Sequence, residues 1–295
     1  MFRLSPTAVL AVLIVMTSVA RGQESVTFKW KTPGPGDNVI FTKDEIRTTK
    51  FKVEDGQGNV LVDSNEVRTK AIAYMETVLE RDGLKPVTKF ERQYTKCYVK
   101  KESDVEDIEL KDRSVVFEKS GEKYAFAYKD GTAVAGKAAS MLTTEMAHLS
   151  SSVDFEIDWL PKAAVKLGDK WDFELGPLIK GFEGESGLEV DNSKSTGRGK
   201  LIKIRQKDGR QFGEIHYSIV MPIRKFGPAP VQFTFDDGAK LVVDAKMDIC
   251  IDGSARVGVA EIRMELVGTA STNDAVRRID ILSLLKRTSS EPAKK

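Results

Sequence analysis

Between Leu241 and Ile251 the chain reads LVVDAKMDICI, and Leu241, Val243, Ala245, Met247, Ile249 and Ile251 alternate with their neighbours without a break. A period of two is the period of a β-strand, whose successive side chains leave on opposite faces; a helix would scatter the same residues around its circumference. Such a stretch has one face to bury and two edges to pair. The design recurs along most of the chain. SVTFKWKT sets Val26, Phe28 and Trp30 on one side, and TTKFKVEDGQGNVLVDS is a hairpin with Phe51 and Val53 before its turn and Val60 and Val62 after it. RSVVFEKSGEKYAFAYKDG turns at Lys-Ser-Gly-Glu and returns through Tyr124, Phe126 and Tyr128. GKLIKIRQKDGRQFGEIHYSIVMPIRKFG turns at Lys207-Asp208-Gly209, and the strand ending at Ile251 comes back across Asp252-Gly253.

Three segments depart from this pattern or blur it. AVAGKAASMLTTEMAHLSS, residues 133–151, lacks aromatic residues and places Val134, Ala138, Leu142, Glu145 and Leu149 on one helical stripe. SNEVRTKAIAYMETVLERDGLKP carries helix signals, with Ser64 or Asn65 as N-cap and Glu66 four residues before Lys70, yet it also alternates. Arg81-Asp82-Gly83 is a hairpin turn into the strand-like KPVTKFERQYTKCYVK, which favours strand over 64–82. NDAVRRIDILSLLKRT, around 274–287, fits either helix or edge strand. The expected fold is mainly β: two meander halves of antiparallel strands, 23–132 and 153–288, joined by a helix over 133–152, with the sheet strongly curved or bent into a half-barrel. Residues 289–295 are expected to form a disordered tail.

The first residues, MFRLSPTAVLAVLIVMTSVARGQES, combine Arg3, an apolar run from Ala8 to Met16 and small residues suited to signal peptidase. This predicts a secretory signal peptide over 1–22, cleaved after Gly22 or after Ala20. The run is too short to span a hydrocarbon core of about 30 Å. No cysteine flanks the junction, so the expected product is exported, periplasmic or secreted, soluble, and not a lipoprotein. Losing Arg3 and Arg21 from 46 basic residues leaves 44 against 44 acidic ones. The basic residues are interleaved with acidic ones rather than gathered, so no nucleic-acid partner is expected.

Catalytic chemistry finds little to work with in the sequence. His148 lies near the end of the helical segment, and His216 alternates with Glu214 and Ser218 on a polar strand face; both read as structural. No His-x-x-x-His, Cys-x-x-Cys or calcium loop is present, and neither metal nor cofactor is expected. DNSKSTGRGK, residues 191–200, lacks the order of a phosphate loop and reads as a mobile loop. The carboxylates of KKESDVEDIELKD are mixed with lysines, the pattern of a solvated edge. Cys97 and Cys250 fall in strands in different halves. A disulfide between them would close a long loop, but plain alternation puts Cys250 with Asp244, Lys246 and Asp248 on the polar face, favouring two separate thiols.

In WLPKAAVKLGDKWDFELGP, Trp159 is followed by Pro161, which cannot donate in a ladder, and Gly168-Asp169 precedes Trp171. The arrangement reads as a structural corner whose two tryptophans are apolar plugs with their indole N–H groups on backbone acceptors. LPKAAVKLGDKWDFEL, together with VLERDGLKPVTKFERQY and KIRQKDGRQFGEIHYSI, resembles uncharacterised secreted β-rich bacterial proteins with a Leu-Pro, Val, Gly-Asp-x-Trp element. That resemblance implies export and architecture but no catalytic residues. The first functional expectation is a non-catalytic extracytoplasmic binding or scaffolding protein with an unknown envelope or extracellular partner. The second is a carrier of a lipid or other apolar ligand in a curved sheet, and the third, least supported, a carboxylate-dependent hydrolase.

Overall fold

Alternation of this length demands strands of the same length, and they form. The computed structural model describes residues 25–83, 87–102, 104–121, 123–150, 159–176, 178–179, 187–227, 233–271 and 275–292, except the side chains of 147–150. The leader expected over 1–22 lies outside them. The N-terminal half contains β1 (Asn38–Asp55), β2 (Val60–Arg81), β3 (Val87–Lys101), β4 (Asp104–Asp107), β5 (Ser114–Ser120) and β6 (Lys123–Tyr128), followed by helix α1 (Gly136–Ser150). The C-terminal half contains β7 (Lys170–Asp172), β8 (Glu189–Val190), β9 (Thr196–Lys207), β10 (Arg210–Phe226), β11 (Phe233–Thr234), β12 (Lys240–Cys250), β13 (Gly258–Ser271) and β14 (Ala275–Ser290).

All strands belong to one open antiparallel sheet of 14, ordered β6-β5-β3-β2-β1-β14-β13-β12-β10-β9-β7, with β4, β8 and β11 as short additions. Each half is a meander, and the last strand returns to pair the first. The β1–β14 ladder runs from Ile40 opposite Ser290 to Asp55 opposite Ala275. Residues 64–82 lie in β2, as their alternation indicates. The segment left open between helix and strand, 274–287, is strand from Ala275 onward. A central position supplies backbone partners on both edges, and that outweighs the helical reading of its Leu and Arg residues. Ser289 and Ser290, expected in a disordered tail, instead continue β14 opposite Phe41 and Ile40, and Glu291 reaches Arg210 at 2.7 Å. Residues 293–295 lie outside the description.

Both hydrophobic cores lie on the same face of the sheet, here called the core face. In the N-terminal half Ala138, Leu142 and Met146 of α1 bury against Phe90, Tyr94, Phe117 and Ile72. In the C-terminal half the segment around Trp159, Val165, Leu175 and Leu188 covers Leu201, Ile215, Tyr217, Ile219 and Val243. Each cap hides one end of the sheet.

The Trp-Pro-Gly-Asp-Trp segment is built as follows. Trp159 is buried and stacks on Phe173 at 5.0 Å, while Trp171 is half-buried, meets Tyr217 edge-on at 6.2 Å and donates its indole N–H to the Trp159 carbonyl at 2.7 Å. Pro161 is buried. Gly168 takes φ +89° in the turn, its N–H bonds the Leu201 carbonyl at 2.8 Å, and Asp169 caps the Lys166 N–H at 2.8 Å. Residues 196–200, expected in a mobile loop, are the start of β9. Gly199 lies under Trp171 so closely that an added Cβ would sit 2.4 Å from the ring, and Gly197 is similarly pressed by Phe173. The small residues that suggested a loop are there to admit aromatic rings.

Trp171→Ala is therefore expected to cost roughly 2–4 kcal/mol, somewhat below a fully buried aromatic truncation. Gly199→Val should destabilise at least as much, because backbone-level overlap with an indole cannot be relieved by a rotamer change. Urea denaturation of both variants checks this, and a Trp171→Ala midpoint equal to that of the native protein would overturn the structural role.

Candidate functional site

In an antiparallel ladder, residues directly opposite share a face, so register converts sequence into a map of the core face. One row reads Val99, Lys70, Glu45, Leu285, Ile262 and Ala245 across β3, β2, β1, β14, β13 and β12. The next row, toward the turn of the β1–β2 hairpin, reads Lys101, Arg68, Arg47, Ser283 and Met264. On the other side lie Cys97, Ile72, Lys43, Arg287 and Ala260. These rows cross the strip between the two caps. Ile262, Met264, Ile281 and Leu285 form a half-buried apolar floor there, and Lys43, Glu45, Lys70 and Arg287 are half-buried beside it.

Cations and carboxylates are mixed at this strip, with Glu45 opposite Lys70, Asp104 opposite Lys101 and Glu106 opposite Val99, and some cations also face each other. Lys43 stands directly opposite Arg287, Arg47 opposite Arg68, and Arg68 opposite Lys101. Like charges placed so are destabilising in a sheet. Glu66 pairs with Arg68 and lies 2.9 Å from Lys101, and Glu45 accepts from Ser283 at 3.2 Å. Among the described residues no carboxylate comes within 4.0 Å of Lys43, Arg47 or Lys70. Burial holds the Lys43 ammonium below the usual lysine range.

Beneath α1 the strip meets a buried charge cluster. Arg92, 3% exposed, bonds Glu76 at 3.0 Å and Glu145 at 3.1 Å and lies 4.4 Å over the Tyr74 ring. Burial alone would lower its pKa, but Tyr74, Glu145 and Glu76 outweigh that and hold it protonated. For Glu145 burial would favour the neutral acid, yet Arg92, Lys43, Lys70 and Arg287 keep its carboxyl below the usual range. Glu145 Oε2, Arg256 Nε and the Tyr94 hydroxyl are buried without a hydrogen-bond partner among the described residues.

The opposite, open face looks different. A shallow recess of about 410 Å³ over β1, β12, β13 and β14 is lined by Ile46 and Leu284, which face each other in register, and by charged residues of both signs. Those charges pair across strands: Lys286 with Glu261 at 2.9 Å, Lys246 with Glu214 at 3.1 Å, and His216 with Asp244 at 2.9 Å. This is a solvated ion-pair ladder.

Of the residues singled out in the sequence, His216 sits in that ladder on the solvent side, and the side chain of His148 lies outside the description. Cys97 and Cys250 are both free thiols, buried in separate clusters, so they form no disulfide. Burial raises the Cys97 pKa to about 11. Cys250 does lie on the face opposite Ile249, but that face is not polar there: Phe212, Ala255 and Val257 cover it. Alternation assigns a side, whereas burial depends on what crosses it. The basic residues of the strip were not found from the sequence, where they are scattered over distant segments. The signal that finds them is parity within a known register. Among the described residues no cluster of three or more His, Cys, Asp or Glu could hold a metal, and no helix is long and apolar enough to cross a membrane.

No family model matches the chain, and no curated protein matches it. Among solved structures, a structure of lipid–protein interactions in lipovitellin aligns at 8% identity and TM-score 0.40, covering 88% of this chain and 26% of that one. The chain thus spans about a quarter of the lipovitellin chain it matches. An outer membrane channel from Pseudomonas putida F1 aligns at 10% identity and TM-score 0.20, covering 90% of this chain and 100% of that one. OccK11 of Pseudomonas aeruginosa aligns at 6% identity and TM-score 0.21, covering 88% and 100%.

Removing Arg92 leaves two buried carboxylates without their counter-ion, so Arg92→Leu is expected to cost about 3–5 kcal/mol. The sign of the pH effect follows from Glu145. Its folded pKa lies below the unfolded value, so its contribution is present above the unfolded carboxylate pKa and is lost as pH falls through the folded one. Glu145→Gln should therefore be less stable than native at neutral pH and flatten the acid limb of a stability-against-pH curve. An unchanged acid limb would contradict the assignment.

Proposed function

We propose that this is an exported, non-catalytic binding protein that holds an apolar or amphiphilic ligand along the core face, in the strip between its two caps. The observation that carries the reading is the half-buried floor of Ile262, Met264, Ile281 and Leu285. It lies on the core face between the part capped by α1 and the part capped by the Trp159–Trp171 segment. Apolar surface left half in water gains on the order of 25 cal/mol per Å² when a ligand covers it. A floor carried on paired central strands offers that surface without reorganisation. Non-catalytic action is supported by what the charged groups do: Glu76 and Glu145 are tied to Arg92, and His216 to Asp244, and each such pairing has a structural use. Export rests on the N-terminal sequence.

The test is equilibrium binding of a fluorescent long-chain monoacylglycerol, whose head group is uncharged, alongside organic extraction and mass spectrometry of protein purified in native form. Saturable binding is expected, weakened at least 10-fold by Leu285→Glu and by Ile281→Ser. Leu284→Glu, one residue away on the open face, should bind as the native protein does. Equal affinity in all three variants, or no binding by the native protein, would overturn the reading.

A further inference from the structure

The core-face series of β1 changes character along the strand. Lys43, Glu45 and Arg47 are charged, Thr49 carries a neutral hydroxyl, and Phe51 and Val53 are apolar. The residues of β2 that face this series follow the same order toward the turn: Lys70, Arg68 and Glu66 are charged, Ser64 is neutral, and Val62 is apolar and stands directly opposite Val53. On the other side of β1, Ile281 faces Thr49 and Ile279 faces Phe51, which carries the apolar floor in the same direction. Because Lys70 meets Glu45 and Lys101 meets Asp104, the charged end is a polar surface of mixed sign. Alternation decides which side of a strand a residue takes, but it does not grade one side from charged to apolar on two strands in register. Folding accounts for Ile279, which is buried, and for Phe51, whose ring meets Phe233 at 6.1 Å. It does not account for Val62, 44% exposed, in the part of β2 beyond the last β3 pair, Arg68 with Lys101.

We propose that the strip takes a single-chain amphiphile lying along the strands, its polar head over the rows of Glu45, Lys70, Arg47 and Arg68 beside Leu285, and its long acyl chain pointing to the β1–β2 turn over Ile281, Phe51, Val53 and Val62. That a ligand lies in the strip at all rests on the reading above; its direction and its length come from the gradient. A head group placed at the charged end keeps its water and finds hydrogen-bonding side chains, whereas a chain placed there would strip water from charged groups without repaying them. The apolar end has the converse preference, since a chain removes Val53 and Val62 from water. From Arg47 to Val53 the strand rises roughly 20 Å. One leaflet's share of a bilayer's hydrocarbon core is about 15 Å, so an ordinary membrane-length chain reaches Phe51 and, when extended, the Val53–Val62 pair. A chain of half that length stops short of them.

Chain length and chain direction are tested separately, with monoglycerides below their aggregation concentrations. Stearoyl monoglyceride is expected to bind the native protein at least 10-fold more tightly than octanoyl monoglyceride, because each added methylene covers more of the apolar end. The double variant Val53→Ser, Val62→Ser should weaken the stearoyl probe about 10-fold and leave the octanoyl probe unchanged. Val62→Ser alone, at an exposed position, keeps the test usable should the double variant fail to accumulate. Direction is read with two stearoyl monoglycerides, one brominated near the ester and one near the chain end. In Val62→Trp the terminal bromines should quench the added fluorescence at least 3-fold more than the ester-proximal ones, and in Arg47→Trp, also at an exposed position, the order should reverse. The opposite order at the two positions, or equal quenching by both probes, overturns the orientation. Stearoyl binding that is lost in Leu285→Glu but kept in full by the Val53 and Val62 variants overturns the chain path and leaves the apolar reading intact. No binding of either chain length by the native protein overturns both.

Discussion

The β1–β14 ladder makes one molecule out of two meanders. Each half would otherwise end in a long strand edge, and β1 and β14 are among the longest strands in the chain. Pairing them along almost their whole length satisfies both edges and aligns the two core faces into one. It also fixes which side chains of β1 and β2 continue the rows of β13 and β14. A slip of one residue in that single ladder would turn Lys43, Arg47 and Phe41 to the opposite face and put Asp44, Ile46 and Thr42 in their place. The two caps, the apolar floor and the basic rows therefore share one dependence.

Much of this was legible in the sequence, and the reason is the strict period. Leu241 to Ile251 can satisfy alternation only as a strand, and Asp208-Gly209 and Asp252-Gly253 only as places where the chain turns back. Glu66 and Lys70 illustrate the opposite case. They suggest an i,i+4 helix pair, but alternation through Ala71, Ala73 and Met75 and the turn at Gly83 prevail, and in β2 the two residues lie on the same face two positions apart. Local pair energies of a few tenths of a kcal/mol cannot outweigh a central strand's two ladders. The ambiguity over 274–287 has the same resolution, which depends on a partner more than 200 residues away and so leaves no local trace.

The parts that were not legible are those in which sides must be filled. Cys250 obeys alternation and is nevertheless buried, because Phe212 and Ala255 come over it from elsewhere. Gly197 and Gly199 read as loop residues until Phe173 and Trp171 are placed on them. The basic strip is the clearest instance. Charge read along the chain is balanced and interleaved, as the 44 against 44 of the expected mature protein reflects, yet a sheet sorts residues by parity. Lys43 and Arg47 go to one side while the intervening Asp44 goes to the other, and composition cannot register that separation.

Both faces of the same strands mix matched and opposed charges, and they differ in how deeply those charges are buried. On the open face Lys246 and Lys286 meet Glu214 and Glu261 across the ladder, at separations that contribute solubility and a little stability in water, while Lys52 stands opposite Arg278 and Lys170 opposite Lys200. On the core face, where partial burial makes each charge more costly, Lys43 meets Arg287 and Arg47 meets Arg68, but Lys70 meets Glu45 and Lys101 meets Asp104. The strongly tied exception, Arg92 between Glu76 and Glu145, shows that the chain can build a matched buried cluster a short distance away. Matched charge holds the helix to the sheet, and the strip that neither cap covers sets mixed cations and carboxylates beside its apolar floor. That division, rather than any single residue, is what separates the capped part of the core face from the strip where the ligand is proposed to lie.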